Sequence, residues 1–410
     1  MPSDRQKASA SRLHGRGTNF RRVTPRPLMP RFLSTLLLCL FWAAFGVHGA
    51  ATAGSPAAHS VQAETAGAVP RILDKRAALM KQGAADLAAG DANAAVTAFE
   101  TAVAMVHAPD AELGLVRSYM QAGDYRQALS YGAHTAGAHK EEPEGTALYV
   151  WLLHLGGQEV AAKRLLLEAQ ARTPGSTVLA QAQRRIEAGF ASSFRKPGAA
   201  GSFAPYSLPP LKAATAAVYG SGVLINGGHH ALVPLASVAH ARKIWLRNGL
   251  GQTRQAALEN RFEKDGMALL KLEQALPLTD GFMTAGRDPF PGSVVYAVEY
   301  AMGRGAQPDW PILRHGFLGM PVGNDPEWPL GITMPNGLRG GPVFDASGVL
   351  TGISISARHG KPMFLPISRI RRTLGERLGP VAPAMKGTRI GMEQVYENAM
   401  RITLQVLTAR

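Results

Sequence analysis

The chain has 410 residues, enough for two or three domains, and a hydrophobic fraction of 46% with 18% charged residues excludes a disordered protein. The formal net charge of +15 is unevenly placed, because residues 1–31 hold eight Lys or Arg residues against the single acid Asp4. The rest of the chain carries +8 without a dense basic run, which argues against a nucleic-acid partner.

The first predicted element is a signal peptide over residues 1–53. Residues 32–47 are apolar and uncharged, and this run of 16 is short for a membrane span of about 20 residues. Small residues around Ala51 offer a cleavage site, and Met29 could be the true start. We therefore expect export to the periplasm. The alternative is an uncleaved segment that anchors the chain in the inner membrane, the only membrane contact expected.

The single cysteine, Cys39, lies inside this segment, so the exported chain would have no disulfide, thiol nucleophile or cysteine metal site. Residues 54–70 are small and polar and predict a flexible leader. Nothing in the sequence predicts a cofactor or a bound metal ion. His229 and His230 make a poor metal pair, because adjacent side chains diverge.

Residues 71–189 are rich in Ala and Leu at helical spacing and show a period of 33 and 34 residues. Gly90, Gly123 and Gly157 mark the period, which is typical of helix pairs joined by Gly-centred turns and stacked on their neighbours. The pattern resembles degenerate tetratricopeptide (TPR) repeats, with 177–188 as a capping helix. The resemblance implies a groove for a protein or peptide partner. An unrelated helical bundle is the alternative.

Residues 190–212 are rich in Gly, Ala and Pro without periodicity and predict a linker. Over 213–379, short apolar segments alternate with Gly and Pro turns, which favours an all-β barrel or sandwich. Eleven strands are predicted, at 215–224, 231–235, 243–247, 254–262, 267–272, 293–300, 311–322, 330–334, 343–345, 349–354 and 363–366. A closing helix is predicted at 368–378.

The loop 336–342 reads Asn-Gly-Leu-Arg-Gly-Gly-Pro and precedes a predicted β-hairpin. With the segment Gly-Ser-Gly-Val-Leu at 220–224, it resembles the trypsin-like serine proteases of the HtrA kind, over roughly residues 205–380. The resemblance implies a double β-barrel. The predicted fold class is therefore multidomain, with an all-α TPR-like repeat followed by an all-β trypsin-like double β-barrel.

In that family a histidine base, an orienting aspartate and a serine nucleophile carry the chemistry. The matching positions here hold Ala236, Gly266 and Arg339. Alanine cannot accept a proton, glycine cannot orient a base, and a guanidinium is a cation without a useful lone pair. The resemblance thus implies an inactive protease homologue in which no catalytic residue is expected.

The same loop supplies the family's oxyanion hole from backbone N–H groups. Its remnant here would be Gly337, Arg339, Gly340 and Gly341. With the added cation, the loop could bind a carboxylate or a chain terminus. The alternative is that Arg339 fills the cleft and forms a structural ion pair.

A rearranged active site is the alternative to an inactive domain. The candidates are His229, His230 and His240 as base, Asp265 as orienting acid, and Ser237 or Ser354 as nucleophile. None of them restores a serine in the nucleophile loop. Turn or surface positions are the simpler interpretation of the three histidines.

Residues 380–410 are predicted to form a linker and a C-terminal amphipathic helix at 391–408, because apolar residues recur at spacings of three and four. The whole chain is then predicted to be an exported pseudoprotease that binds or scaffolds envelope proteins. The alternative is an active trypsin-like serine endopeptidase with a rearranged site, and a third possibility is a membrane-anchored assembly subunit.

Overall fold

The structure, a computed structural model, describes residues 57–187, 217–278, 282–301, 308–321, 328–333, 339–356, 361–383 and 388–409. The chain divides into two units, Met1–Val61 and Gln62–Arg410, and the described elements belong to the second apart from the start of the first helix. The predicted signal peptide (1–53) and linker (190–212) lie outside the described residues. Within the described ranges, no helix is long and apolar enough to cross a membrane.

Helices fill the described part of the chain up to residue 187. They are α1 (Ala57–Ala89), α2 (Ala92–Met105), α3 (Pro109–Ala122), α4 (Tyr125–Ala138), α5 (Pro143–Leu155), α6 (Glu159–Arg172) and α7 (Thr177–Glu187). Gly90, Gly123 and Gly157 lie in three of the turns, with φ of 80°, 85° and 83°. Only glycine adopts such angles readily, which is why the helices end where the periodic glycines predicted.

The first helix is longer than the sequence suggested. Because α1 begins at Ala57, the prediction of a flexible leader at 54–70 is wrong for residues 57–70. This stretch contains several alanines as well as Gln62 and Glu64, and all of these are strong helix formers. A composition that suits a flexible segment therefore suits a helix equally well. Pro70 lies inside the helix.

Twelve strands and three further helices follow among the described residues. The strands are β1 (Ala217–Ile225), β2 (His230–Pro234), β3 (Lys243–Asn248), β4 (Thr253–Phe262), β5 (Met267–Leu272), β6 (Val294–Glu299), β7 (Ile312–Leu318), β8 (Trp328–Gly331), β9 (Pro342–Asp345), β10 (Leu350–Ser356), β11 (Pro362–Pro366) and β12 (Thr403–Ala409). The helices are α8 (Leu235–Val238), α9 (Ile367–Leu374) and α10 (Met392–Ile402). The first eleven strands match the eleven predicted ones, and α9 covers most of the predicted closing helix.

The described strands form two closed antiparallel barrels of six strands each. The first has the order β1-β12-β3-β4-β5-β2, and the second has the order β10-β11-β8-β7-β6-β9. Closure leaves neither barrel with a free strand edge. This confirms the predicted fold class of a helical region followed by a trypsin-like double β-barrel.

The C-terminal segment corrects one prediction. The helix expected at 391–408 ends at Ile402, and residues 403–409 form β12, which lies between β1 and β3 in the first barrel. All seven residues of β12 are buried, and threonine and valine favour a strand there. The spacing of Ile402 and Val406 fits a helix, but the two unpaired edges of β1 and β3 decide the outcome.

The helices and the barrels share one hydrophobic core. On α10, the ring of Tyr396 lies 4.4 Å from that of Tyr125 on α4, and its hydroxyl donates to the Pro311 carbonyl at 2.7 Å. The next residue on each helix adds an ion pair, because Arg126 lies 2.9 Å from the carboxylate of Glu397. The C-terminal helix therefore joins the helical region to both barrels.

A second set of polar contacts joins the helical region to the second barrel. Arg314 on β7 donates to the carbonyl of His154 and to its Nε2, each at 3.2 Å, and its Nε lies 2.6 Å from a Glu159 carboxylate oxygen. Burial, and then the charge of Arg314, lowers the pKa of His154 to about 3. The ring is therefore uncharged near neutral pH, which lets Nε2 accept a hydrogen bond from a guanidinium.

Candidate functional site

The positions that match the family's base and acid lie side by side at one end of the first barrel. Ala236 is exposed in α8, directly after β2, and Gly266 is exposed directly before β5. The two strands pair with Pro234 opposite Met267, and the Leu235 N–H donates to the Gly266 carbonyl at 2.8 Å. The structure thus brings together two positions that are 30 residues apart in the sequence.

The nucleophile loop reaches the same place from the second barrel. Gly340 has φ of +125°, and a Cβ there would lie 2.3 Å from the Ser221 carbonyl oxygen and 2.5 Å from Cδ of Pro234. Only glycine fits this contact, which presses the residue after Arg339 against the end of β2. The three positions that the resemblance assigns to the triad therefore meet at the junction of the barrels. Gly337 lies outside the described residues.

The side chain of Arg339 occupies the second barrel rather than the cleft. It is 5% exposed, and its Nη1 donates to Oε2 of Glu299 on β6 at 3.2 Å. Glu299 is 2% exposed, and burial raises the pKa of its carboxyl, while the charge of Arg339 opposes the shift. The guanidinium is committed to a buried ion pair, so it is not presented to a ligand carboxylate.

The same carboxylate gathers hydrogen bonds from the loop and from β10. The Ser354 hydroxyl donates to Oε1 of Glu299, and the Gly341 N–H also donates to this carboxylate. The Gly340 N–H points to the Ser354 hydroxyl at 3.4 Å. The N–H groups of Gly340 and Gly341, two residues of the predicted oxyanion loop, are therefore directed to groups inside the second barrel.

The chain is similar to protease domains of known structure. The MamO protease domain from Magnetospirillum magneticum (apo form) matches with a TM-score of 0.28 and 21% identity, over 39% of this chain and 95% of that one. The HtrA-type protease AlgW with a decapeptide matches with a TM-score of 0.33 and 20% identity, over 38% of this chain and 50% of that one. No family model matches the sequence, and no curated protein does.

The acid and the buried histidine considered for a rearranged site are held by other partners. Asp265 forms an ion pair with Arg369 of α9 at 2.5 Å. His230 lies 3.0 Å from a carboxylate oxygen of Glu259 on β4. Each contact is within the first barrel or between it and α9. Neither side chain is directed to a nucleophile.

The candidate serines are buried and used in local hydrogen bonds. Ser237 is 4% exposed and donates to the carbonyl of Pro234 at 2.6 Å. Ser354 is fully buried beside Glu299. His229 and His240 are exposed. These contacts give no serine–histidine pair among the described candidates.

Glu299 is the site residue that the sequence analysis missed. It is the one acid in the apolar stretch at 294–300, and an acid that ends a buried strand needs a cation or hydrogen-bond donors. That rule could have marked Glu299 as an acid that needs an arginine or a lysine as its partner. Which arginine it meets depends on β6 lying beside β9, which the sequence alone does not specify.

One group of described side chains could hold a metal ion, and the sequence analysis missed this one also. It consists of His107, Glu112 and His134, whose ligand atoms all lie within 4.8 Å of one another. His139 lies beside them. The only sequence signal is a spacing of five residues within each of two pairs, which lie 27 residues apart.

Proposed function

We propose that this chain is an exported, non-catalytic homologue of the trypsin-like proteases that binds or scaffolds envelope proteins. The double barrel would be a scaffold whose catalytic triad is lost. The helices would act as a TPR-like array that receives a protein or peptide partner. The proposal of export rests on the apolar run at 32–47, which lies outside the described residues.

The observation that carries the proposal is the ion pair between Arg339 and Glu299. It fills the nucleophile position with a cation and uses that cation structurally. The base position, Ala236, is exposed but has no proton acceptor. Loss of nucleophile, base and orienting acid together lowers kcat on the order of a million-fold.

Exposed apolar side chains on α6 support the binding role. Val160 is 85% exposed and Leu167 is 66% exposed. Residues seven apart lie on the same helix face, here with the exposed Lys163 and Arg164 between them, and we refer to the two apolar side chains as the apolar strip of α6. The periodic glycines of the helix turns support the TPR-like interpretation of the array.

The non-catalytic part of the proposal predicts that the folded chain has no serine hydrolase activity. Purified mature protein, incubated with casein and a fluorophosphonate probe, should show neither casein cleavage nor labelling above the heat-denatured protein. The physical reason is that no hydroxyl stands at position 339. Trypsin in the same reaction is the positive control. Labelling that disappears in Ser237→Ala or Ser354→Ala would show a rearranged active site and overturn the proposal.

The binding part predicts that partner capture depends on the apolar strip of α6. Immobilised Val160→Ser/Leu167→Ser protein should retain several-fold less of the proteins that the unchanged chain captures from a periplasmic extract, because it offers less apolar surface. Mass spectrometry of the bound fraction measures the loss.

The matched control is Arg164→Ser/Glu168→Ser, which also introduces two serines on α6 and leaves the net charge unchanged. These two residues form an exposed i,i+4 ion pair at 3.9 Å, so little stability is lost. Equal capture by both variants and the unchanged chain would exclude the strip as the binding surface.

A further inference from the structure

Four side chains converge at one end of the helical array, where α2 ends, α3 begins and α4 ends. His107 follows α2, and Glu112 lies in the first turn of α3. His134 and His139 lie at the end of α4. Consecutive helices in the array pack against each other, so these ends are held together by the fold.

The ligand atoms of these side chains are very close. Nε2 of His107 lies 2.7 Å from Oε1 of Glu112 and 3.0 Å from Nε2 of His134. Nε2 of His134 lies 3.4 Å from the same Oε1. Nε2 of His139 faces the other carboxylate oxygen, Oε2, at 3.5 Å. One carboxylate is therefore surrounded by three imidazole nitrogens.

Glu112 is fully buried, and neither of its carboxylate oxygens accepts a hydrogen bond from a described residue. Nε2 of His139 is buried and without a hydrogen bond among the described residues as well. A buried carboxylate without hydrogen bonds costs several kcal/mol unless it is paired or binds a metal ion. The surrounding groups supply no permanent positive charge, since imidazoles are charged only when protonated.

The distances between these ligand atoms are close to those within the ligand set of a single metal ion. Ligands at about 2.0–2.1 Å from a tetrahedral metal ion are about 3.3 Å from one another. The three distances among His107, Glu112 and His134 range from 2.7 to 3.4 Å. Two imidazole nitrogens at 3.0 Å can share only one proton, and full protonation would make them repel.

We propose that His107, Glu112 and His134 bind one divalent transition-metal ion of the zinc class, with His139 as a positioning residue on the second carboxylate oxygen. Imidazole and carboxylate ligands suit Zn²⁺ and its neighbours in the first transition row. The site is independent of the barrels and of any loss of proteolysis. The bound metal ion would link the turn between α2 and α3 to the end of α4.

The site is open on one side. The side chains of His107 and His134 are 53% and 51% exposed, whereas that of Glu112 is 1% exposed. The metal ion would enter from solvent across the two histidines and rest on the buried carboxylate. Three protein ligands leave a fourth position, which faces the same solvent-exposed side.

The test uses the mature chain without a histidine tag, stripped of metal with EDTA and titrated with Zn²⁺ in a calorimeter. We expect one Zn²⁺ per chain and a rise in melting temperature on binding. The variant His107→Gln/His134→Gln should bind Zn²⁺ at least about 100-fold more weakly, since even the loss of a residue that only orients a ligand costs 10–100-fold. His139→Gln should weaken binding roughly ten-fold.

Two further variants separate metal binding from folding and from unspecific histidine binding. Glu112→Gln removes the buried charge and keeps the shape, so it should fold, by circular dichroism, and bind Zn²⁺ weakly. His229→Gln/His240→Gln removes two exposed histidines elsewhere and should bind as the unchanged chain does. The proposal is overturned if the unchanged chain takes up no Zn²⁺, or if His107→Gln/His134→Gln binds it equally well.

Discussion

A chain that ends at Ile402 is expected to lose its first barrel. Strand β12 forms six residue pairs with β1 and six with β3, so its removal opens the barrel and exposes two strand edges. It also removes Leu404, Val406 and Leu407, which are fully buried. Each such side chain contributes about 1.5–3 kcal/mol, and three together approach the whole stability of a typical domain, about 5–15 kcal/mol.

The measurement is the soluble yield and the thermal unfolding of the truncated chain by circular dichroism. The matched control ends at Ala409, lacks only Arg410 and keeps every residue of β12. The control should melt as the full chain does, whereas the chain ending at Ile402 should be insoluble or lack a cooperative transition. A truncated chain that melts within a few degrees of the control would show that the barrel does not need its last strand.

The same strand shows where sequence reasoning stops. The other eleven strands were predictable because each is a short apolar segment between Gly or Pro turns, and such local signals do not depend on the rest of the chain. β12 follows α10 without a break, at Ile402–Thr403. β12 forms a strand because it pairs with the edges of β1 and β3, and no local sequence pattern indicates that these two edges require a partner strand.

The candidate site also has a part that the sequence can predict and a part that it cannot. The assignment of Ala236, Gly266 and Arg339 to the triad positions stays a prediction from the resemblance, and the structure places Ala236 beside Gly266 and the residue after Arg339 against the end of β2. The partner of Arg339 could not be predicted, since Glu299 reaches it across two strands that pair only in the folded barrel. The structure also shows what the sequence left open, namely that the loop arginine forms a buried ion pair.

The histidine cluster of the helical array is a further contact that the sequence alone does not predict. His107 and His134 are 27 residues apart and meet only because helix ends stack. The period of the array is 33 and 34 residues, so the cluster joins unlike positions of successive units. Repeat analysis compares like positions, and it therefore passes over such a group.

Replacing Arg339 by methionine is expected to destabilise the protein by about 3–5 kcal/mol, because Glu299 would keep a buried charge without its cation. Glu299→Gln should also destabilise the protein, because it removes the anion that faces the buried guanidinium. The double variant Arg339→Met/Glu299→Gln should recover most of the loss, since neither charge remains and the amide can still accept from Ser354. Free energies of unfolding in urea measure the cycle.

The loss in Arg339→Met should also depend on pH. Burial raises the pKa of Glu299, and without the guanidinium that opposes the shift the pKa rises further. A carboxyl whose folded pKa exceeds its unfolded value, about 4.3, favours the folded state below that value and loses this contribution as pH rises through the folded pKa. The gap between variant and unchanged chain should therefore narrow from pH 8 to pH 5.

The matched control is Arg377→Met, which breaks a pair with Glu259 at 2.7 Å whose arginine is half exposed. Solvent screens this pair, so the loss should be below about 1 kcal/mol. If Arg339→Met cost no more than Arg377→Met, or if the double variant were as unstable as the sum of the single ones, the pair would not hold the loop. The expected coupling instead makes the arginine at the nucleophile position a structural residue of the second barrel.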